Sequence, residues 1–310
     1  MKADLFRSND TMPKSLQKGK SLFLIALLVV PLLNFLIFYV VVNANSFVLA
    51  FQMYVGKGKY EPSIGQFLKI FDDLGKGMQG ELLPSFLNTQ MYFWLNLLVT
   101  LPLSFLVSYF LYKKVPGYAL FRVIFFMPSI ISSVVLVAIY KNFMLPYGPI
   151  DGLIKSLGGS GVPSGMLEHH DSATMLMIGY ILWTGFGVNI VLFESAMRRI
   201  PESVIEAGQL DGISMFGEMF KIVTPLVWST VLTTLTLAIS AFMTADGPIL
   251  LFTEGAENTG TISFYIYWTV YKLSGHHYGA AIGLFCSFIS MPIVFTARYF
   301  LSKVVDNVEY

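Results

Sequence analysis

Charged side chains are scarce in this chain of 310 residues, where Asp, Glu, Lys and Arg together make up 13%. An ordinary soluble domain carries about 25%. Hydrophobic residues make up 55%, and so large an apolar surplus must face something other than water. The composition therefore excludes an ordinary soluble domain and predicts a membrane protein.

Cysteine and net charge are also nearly missing. Cys286 is the one cysteine, so an intrachain disulfide is excluded and a buried apolar role is expected for it. The net charge of +1 provides no basic field that would attract nucleic acid. The sequence has no G-x-x-x-x-G-K-[ST] phosphate loop, and no paired carboxylates or nucleophile motif face a common compartment, which argues against an enzyme.

Uncharged apolar runs of about 20 residues, the length needed to cross a bilayer, recur along the whole chain. They are too long and too weakly alternating for barrel strands, and backbone groups in hydrocarbon must be paired within the segment. We therefore predict an all-α membrane protein of about six transmembrane helices, forming one domain over residues 21–304 between tails at 1–20 and 305–310. The runs are Ser21–Val42, Met91–Leu111, Val123–Tyr140, Thr174–Phe193, Leu226–Thr244 and Ala280–Ala297.

No ionisable residue lies within the six runs as bounded. Secondary transporters driven by an ion gradient usually carry such residues as relays, so this alternative is disfavoured. The first run is longer than the apolar core of a signal peptide and no small-x-small cleavage site follows it, so we expect a retained helix. Internal prolines predict kinks in four runs, at Pro31, Pro102, Pro128 and Pro292.

Lys and Arg residues beside the runs predict the orientation, because cytoplasmic segments carry the excess of positive charge. An even number of spans places both termini on one side, and 13 of the 20 basic residues fall on that side. Both termini are therefore expected in the cytoplasm. The 13 residues are Lys2, Arg7, Lys14, Lys18, Lys20, Lys113, Lys114, Arg122, Arg198, Arg199, Lys221, Arg298 and Lys303.

Two outer segments have their own patterns. Ser63 and Gln66 have capping-box spacing, and the apolar residues that follow up to Gly75 predict a short amphipathic helix, which would contact an extracellular partner or shield the bundle. The segment Gly148–Asp171 is rich in Gly, Ser and Pro and is expected to be a loop. Adjacent histidines lack the i, i+4 spacing of helical metal ligands, so a metal site is not expected at Glu168–Asp171 or at His276 and His277.

The loop Arg198–Pro225 is the most informative segment, because its signals predict two short helices. Pro201 suits the first helical position, and Gly212 is placed to end that helix in a left-handed conformation. Ser214 is expected to cap a second helix that closes at Pro225. Spans need only a handful of residues to connect them, so we expect this knob to dock on a partner.

Specific residues in this loop give it a family resemblance. Their types and spacing resemble the Glu-Ala-Ala loop of permeases from binding-protein-dependent ABC importers, and the carbohydrate branch in particular, over roughly residues 20–305. Gly208 replaces the second Ala, and Thr253–Ala256 replaces the usual Thr-Gly-Gly-Gly-Pro. The matching positions are Glu206, Ala207, Gly208, Asp211, Gly212, Ile222 and Pro225, supported by Phe125–Pro128, Tyr147–Ile150 and Tyr278–Ala281.

The resemblance implies a permease subunit in the cell membrane of a prokaryote, importing a sugar or oligosaccharide and not itself an enzyme. The helix that ends at Gly212 would be a coupling helix seated in a groove of a separate ATPase, so Glu206, Ala207, Gly208 and Asp211 are the other ATPase-coupling candidates. Implied partners are a second homologous permease subunit, two ATPase subunits or domains that hold ATP and Mg, and an extracytoplasmic sugar-binding protein. No cofactor is implied for this chain.

A sugar pathway requires polar groups and aromatic faces near the middle of the membrane. Gly185 and Asn189 are four residues apart and share one helix face. Gly185 would alternatively permit close packing, and Asn189 would form an interhelical hydrogen bond. The outer end of the fifth run and the residues just beyond it add the candidates Ser240, Phe242, Thr244 and Asp246. Asp246 would alternatively be a solvated charge at the rim of the span.

Overall fold

The computed structural model describes residues 14–56, 59–163 and 170–303, and the side chains of all of these except 14–22, 56, 170 and 257. Four helices are long and apolar enough to cross a membrane, and two bent helix pairs bring the number to six if each pair counts as one span. The four helices are Phe23–Ala50, Leu82–Tyr112, Asp171–Met197 and His276–Leu301, and the bent pairs are Tyr118–Ile130 with Ser133–Ser156 and Met215–Leu226 with Trp228–Ser240.

Shorter elements connect these helices. An antiparallel hairpin, which the sequence analysis did not anticipate, pairs Met53 with Glu61. The connecting elements are the strands Gln52–Gly56 and Lys59–Pro62 and the helices Gly65–Gly75, Gly77–Gln79, Pro149–Ser156, Glu202–Leu210, Ile249–Phe252, Ala256–Asn258 and Ile262–Tyr271.

Bulges and prolines coincide in the long helices. π-Helical turns occupy Phe35–Val41, Asn96–Thr100 and Met219–Val223 within otherwise α-helical segments. The first follows Pro31 by four residues, and the second directly precedes the helical turn that contains Pro102. Proline at position i leaves the carbonyl group of residue i−4 unpaired. For Pro102 and Pro225 these carbonyl groups belong to Leu98 and Lys221, which lie within the second and third π-helical turns, where the register is wider.

The third predicted run differs from expectation. We expected one kinked helix over Val123–Tyr140, but the structure ends the first helix at Ile130 and begins the next at Ser133, at an angle of 116°. Ile131 and Ser132 are extended, with ψ of 143° and 133°. A Cβ on Gly187 would lie 2.9 Å from the Cβ of Ser129, so the break lies in close contact with the neighbouring helix.

The amphipathic helix forms but begins later than predicted, at Gly65. Ser63 Oγ accepts a hydrogen bond from Gly65 N, whereas Gln66 Nε2 donates to the carbonyl oxygen of Gln52. The expected capping box is therefore absent. The buried face of the helix carries Ile70, which is 1% exposed and packs in a core cluster with the start of the C-terminal helix.

The segment Gly148–Asp171 is not a loop throughout, which corrects the prediction. Pro149–Ser156 is helical. Asp151 is buried and organises this region, because its carboxylate accepts from Lys155 Nζ at 2.7 Å, Tyr147 N at 3.1 Å and Val162 N at 2.7 Å. These hydrogen bonds, all to residues within eleven positions of Asp151, explain why a Gly-rich composition still folds locally into a helix.

Candidate coupling surface and substrate pathway

The first helix of the 198–225 loop spans Glu202–Leu210, with Pro201 in extended conformation just before it. Pro201 is thus one position earlier than predicted, at the N-cap, and Glu202 occupies the first helical position. The negative carboxylate of Glu202 in this first turn interacts favourably with the positive N-terminal end of the helix dipole.

Gly212 has φ of 72° and lies in the left-handed conformation that the sequence predicted. Gly212 N donates to the Gln209 carbonyl oxygen at 3.0 Å and Ile213 N donates to that of Gly208 at 3.1 Å. This pair of bonds is a Schellman motif, which pairs the last carbonyl groups of the helix. The predicted cap of the second helix is also present, since Ser214 Oγ accepts from Gly217 N at 3.2 Å.

The second helix continues past the predicted stop. It passes through Pro225 to Leu226, and Trp228 then begins the next helix at an angle of 81°. The sequence placed the start of the fifth span at Leu226, two residues too early. Val227, with φ of −100°, is the hinge residue between the two helices.

The predicted loop residues divide into an outward and an inward set. The side chains of Glu206, Ala207 and Asp211 are exposed, and Gly208 is buried. A Cβ on Gly208 would lie 2.5 Å from Cδ1 of Ile222, so the helix touches its neighbour at this glycine. Leu210 is 89% exposed beside the outward set, and the sequence analysis missed it although an apolar residue before a helix-ending glycine was a usable signal.

Two buried glutamates that were not predicted from the sequence, Glu194 and Glu218, hold the two ends of the loop in place. Glu218 is 3% exposed and accepts from Lys113 Nζ at 2.8 Å. Glu194 is 6% exposed and pairs with Arg122 and with Arg198 Nη2, the latter at 2.7 Å. The i, i+4 spacing of Glu194 and Arg198 was a usable signal for that pair. The pairs Lys113–Glu218 and Arg122–Glu194 could not be predicted, because their partners are 105 and 72 residues apart in the chain.

An irregular segment, residues 241–248, interrupts the helices near the predicted pathway. Its side chains alternate between buried and exposed. Met243 and Ala245 are buried in two different core clusters, and Thr244 and Asp246, which follow them in turn, are exposed. Packing of the alternate residues therefore directs the polar ones outward. Gln90 Nε2 holds the segment by donating to the Phe242 carbonyl oxygen at 2.8 Å.

Asp246 is held by one of its two carboxylate oxygens. Oδ1 accepts from Thr261 Oγ1 at 2.6 Å and from Gly247 N at 2.8 Å. Oδ2 has no hydrogen-bond partner among the residues that the structure describes. The geometry thus presents a fixed carboxylate with a free acceptor at an exposed position.

Gly185 and Asn189 lie beside the break between the helices His170–Thr184 and Gly187–Met197. A Cβ on Gly185 would lie 2.9 Å from Cγ2 of Thr100, which supports a role in close helix packing. Asn189 is partly exposed and makes no side-chain hydrogen bond to any described residue, so the structure does not provide the interhelical bond considered above.

The remaining pathway candidates make contacts of their own. Ser240 Oγ donates to the Leu237 carbonyl oxygen, and the Phe242 ring packs edge-on against Phe93 with centroids 5.1 Å apart. These contacts favour structural roles for Ser240 and Phe242. Thr244 and Asp246 are the two candidates of the irregular segment whose polar groups are exposed.

No group of three His, Cys, Asp or Glu side chains is arranged for a metal ion in the described part of the chain. Glu168 and His169 lie outside the described residues. His277 Nδ1 lies 3.1 Å from the Leu49 carbonyl oxygen, and its ring stacks on Tyr60 with centroids 4.5 Å apart. His277 is thus engaged in packing between the N-terminal helix, the hairpin and the C-terminal helix.

Residues 84–306 match a family described as the binding-protein-dependent transport system inner membrane component. The chain belongs to this family. The match includes the 198–225 loop, the irregular segment and all the apolar helices after the first. Membership identifies a multi-pass membrane protein and an ABC importer permease, and it decides against an ion-coupled secondary transporter.

Curated relatives support the same conclusion. The chain is 28% identical over 203 residues to the multiple sugar-binding transport system permease protein MsmF of Streptococcus mutans, covering 65% of this chain and 69% of MsmF. It is 28% identical over 186 residues to the lactose transport system permease protein LacF of Rhizobium radiobacter, covering 58% of this chain and 62% of LacF.

A solved structure shares the fold. A chain of a bacterial alginate ABC transporter, crystallised with an alginate pentasaccharide-bound periplasmic protein, superposes with a TM-score of 0.74 at 18% identity. The superposition covers 94% of this chain and 99% of that chain. The likeness extends over nearly the whole length of both proteins.

Proposed function

We propose that this chain is one of two homologous permease subunits of an ATP-driven importer that carries a sugar or oligosaccharide inward. The observation that carries the proposal is the protruding helix Glu202–Leu210, which is closed by Gly212 and exposes Glu206, Ala207 and Asp211. A short rigid helix of this kind suits the helix-in-groove mode of recognition.

The partners follow from this assignment. The exposed helix docks on an ATPase subunit, and two such subunits bind ATP and Mg and drive the cycle. An extracytoplasmic sugar-binding protein delivers the substrate to the opposite face. Sugar as the substrate class is supported by relatives that include permeases for multiple sugars and lactose.

The substrate route is proposed to pass the irregular segment. Asp246 and Thr244 offer exposed acceptors there, and Asn189 has an unpaired amide on the neighbouring helix. Carboxylate, hydroxyl and amide groups match the hydroxyl groups of a sugar. Gly185 contributes by allowing the helices to approach closely, and Ser240 and Phe242 shape the segment.

Uptake by the assembled transporter tests the function. The chain is purified with its native partner subunits, reconstituted into vesicles, and supplied with a panel of labelled sugars and the binding protein. We expect ATP-dependent uptake of at least one sugar and stimulation of ATP hydrolysis by the loaded binding protein. Uptake driven by an ion gradient without ATP would overturn the proposal.

The proposed orientation places both termini and the 198–225 loop in the cytoplasm, because most Lys and Arg residues flank that side. Ser160→Cys and Ser203→Cys, each in a Cys286→Ser background, test it with a membrane-impermeant thiol reagent in intact cells. Both serines are exposed. We expect labelling at position 160 and none at position 203, and the reverse pattern would invert the topology.

A further inference from the structure

Glu218 joins the 198–225 loop to a helix that precedes it by a hundred residues. It lies in the first turn of the second loop helix and is 3% exposed. Lys113 Nζ donates to both carboxylate oxygens, at 2.8 and 3.0 Å. Tyr109 Oη lies 3.1 Å from Glu218 Oε1 and donates to the carbonyl oxygen of Met215 at 2.9 Å. The end of the Leu82–Tyr112 helix thus binds three oxygen atoms of one helical turn, namely the Met215 carbonyl oxygen and both carboxylate oxygens of Glu218.

Stability alone is a weak reason for this arrangement. Transferring a carboxylate and an ammonium group out of water is costly, and well-packed apolar residues of similar volume often stabilise a protein equally well. Hydrophobic packing already joins the loop to the helix around Glu218, since Tyr109, Met219 and Val223 belong to one buried cluster. The ion pair is directional, so it also fixes the position of the loop along the helix, which hydrophobic packing alone does not.

The helix that carries Tyr109 also reaches the irregular segment. Gln90 lies on it 19 positions before Tyr109, about 28 Å away at 1.5 Å per residue. Gln90 Nε2 donates to the Phe242 carbonyl oxygen, and the ring of Tyr92 would contact a Cβ placed on Gly247 at 3.4 Å. One continuous helix of 31 residues therefore touches the loop at one end and the segment around Asp246 at the other.

We propose that Glu218, with Lys113 and Tyr109, forms a latch of positioning residues that transmits displacement of the 198–225 loop to the Leu82–Tyr112 helix and so to the irregular segment. The helix runs without a break through the π-helical turn Asn96–Thr100 and Pro102, so its polar attachments at the two ends are connected by one secondary-structure element that can carry movement between them. The inference rests on the proposed function, because the ATPase supplies the displacement. It assigns the transmission to residues outside the exposed helix Glu202–Leu210.

The test uses the chain assembled with its native partner subunits in vesicles. Thr244→Cys in a Cys286→Ser background reports the irregular segment through its thiol-labelling rate with and without ATP. Glu218→Gln, Lys113→Met and Tyr109→Phe each weaken the latch. Lys221→Met is the matched control, since Lys221 is exposed three positions beyond Glu218 and makes no contact of its charge with a described residue.

We expect the latch variants to reduce the ATP-dependent change in labelling by roughly tenfold, within the range of site-to-site coupling. ATP hydrolysis per assembled complex should persist, so the sugar moved per ATP falls. Lys113→Glu combined with Glu218→Lys should restore part of the response, and Lys221→Met should leave it unchanged. A purely structural role predicts instead that assembly, hydrolysis and labelling fall together, and that result overturns the latch.

Unchanged ATP-dependent labelling in all three variants, at wild-type assembly, also overturns it. The failure of the proposed function has a different signature. In that case the wild-type complex itself shows no ATP-dependent labelling and no sugar uptake, before any variant is compared. A transporter whose substrate is not a sugar would still show the labelling response, so the latch is tested in that case too.

Discussion

Gly208 and Gly212 stand one helical turn apart and are needed for different reasons. Gly212 has a positive φ, and a Cβ there would meet no atom within 4 Å, so its requirement is purely conformational. Gly208 is helical, and its requirement is space beside Ile222. The two residues therefore respond differently to substitution.

At Gly212, a β-branched residue should move the exposed helix without creating a clash. Gly212→Val is expected to cost about 1 kcal/mol or more in the left-handed conformation and to lower ATP-coupled uptake. Gly212→Asn is the matched control, because Asn tolerates this conformation. Wild-type uptake by a well-expressed Gly212→Val variant would show that the turn does not position the coupling helix.

At Gly208, alanine should be tolerated. Helix propensity favours Ala over Gly by about 1 kcal/mol, and the clashing atom, Ile222 Cδ1, is the end of a flexible side chain. We expect Gly208→Ala to change the melting temperature little by itself. Ile222→Val removes the methyl group that the alanine would meet. The double variant Gly208→Ala with Ile222→Val should therefore have a higher melting temperature than the sum of the two single effects predicts. Simple additivity in this double-mutant cycle would contradict the contact.

At the scale of elements, local signals predicted local structure. The cap at Ser214 and the left-handed Gly212 follow from interactions within a few residues, and both were foreseen. The break after Ile130 and the end of the fifth helix at Ser240, four residues before the predicted Thr244, were not, because apolar residues continue past both points and tertiary packing fixes the backbone there. The same limit applies to the pairs Arg122–Glu194 and Lys113–Glu218, which only the fold brings together.

The amphipathic helix Gly65–Gly75 offers a test by pH. Burial tends to raise the pKa of Asp73, but hydrogen bonds from Lys76 and Tyr278 outweigh it and hold the pKa below the ordinary 3.8. A carboxyl with a lowered folded-state pKa stabilises the fold above its unfolded pKa and loses that contribution as pH falls through the folded value. We therefore expect the stability advantage of wild type over Asp73→Asn to decrease as the pH falls below about 4 and to vanish only once the pH is below the lowered pKa of Asp73.

Thermal unfolding of the detergent-purified chain between neutral and acid pH measures this difference. Asp72→Asn is the matched control, since Asp72 is 74% exposed and lies 3.5 Å from the same lysine. Its difference from wild type should be small at every pH, because exposed ion pairs contribute little. Equal pH profiles for the two variants would mean that the bond from Tyr278 does not anchor the helix.

At the scale of the whole molecule, the apolar surface is mostly turned outward. The 18-residue apolar window of Phe23–Ala50 has no buried residue, and its contacts with the C-terminal helix are made by its last part, Val42–Ala50. Such a surface agrees with a protein solvated by lipid and by other subunits. The polar groups of the proposed pathway are likewise open on one side, which fits a route completed by the second permease subunit.

The open side of the pathway gives the last prediction. Asp246→Asn keeps the size of the side chain and its acceptor toward Thr261 but removes the charge, and Asn189→Ala removes an amide that has no described partner. Neither change should disturb assembly with the ATPase, because neither side chain forms a hydrogen bond or ion pair with the 198–225 loop. We expect Asn189→Ala to lower sugar uptake severalfold. Asp246→Asn should lower it by roughly tenfold or more, because a hydrogen bond to a charged group typically contributes about 1.5–3 kcal/mol.

Initial uptake rates at matched expression, measured over a range of sugar concentrations, provide the readout. Ser240→Ala is the comparison variant, because the Ser240 hydroxyl already uses its one donor on the Leu237 carbonyl oxygen. A sugar contact at Asp246 or Asn189 predicts that those two variants lose uptake while Ser240→Ala retains it. Unchanged kinetics in all three would place the route on other residues, and a loss in all three with reduced assembly would instead indicate that the irregular segment is needed for folding.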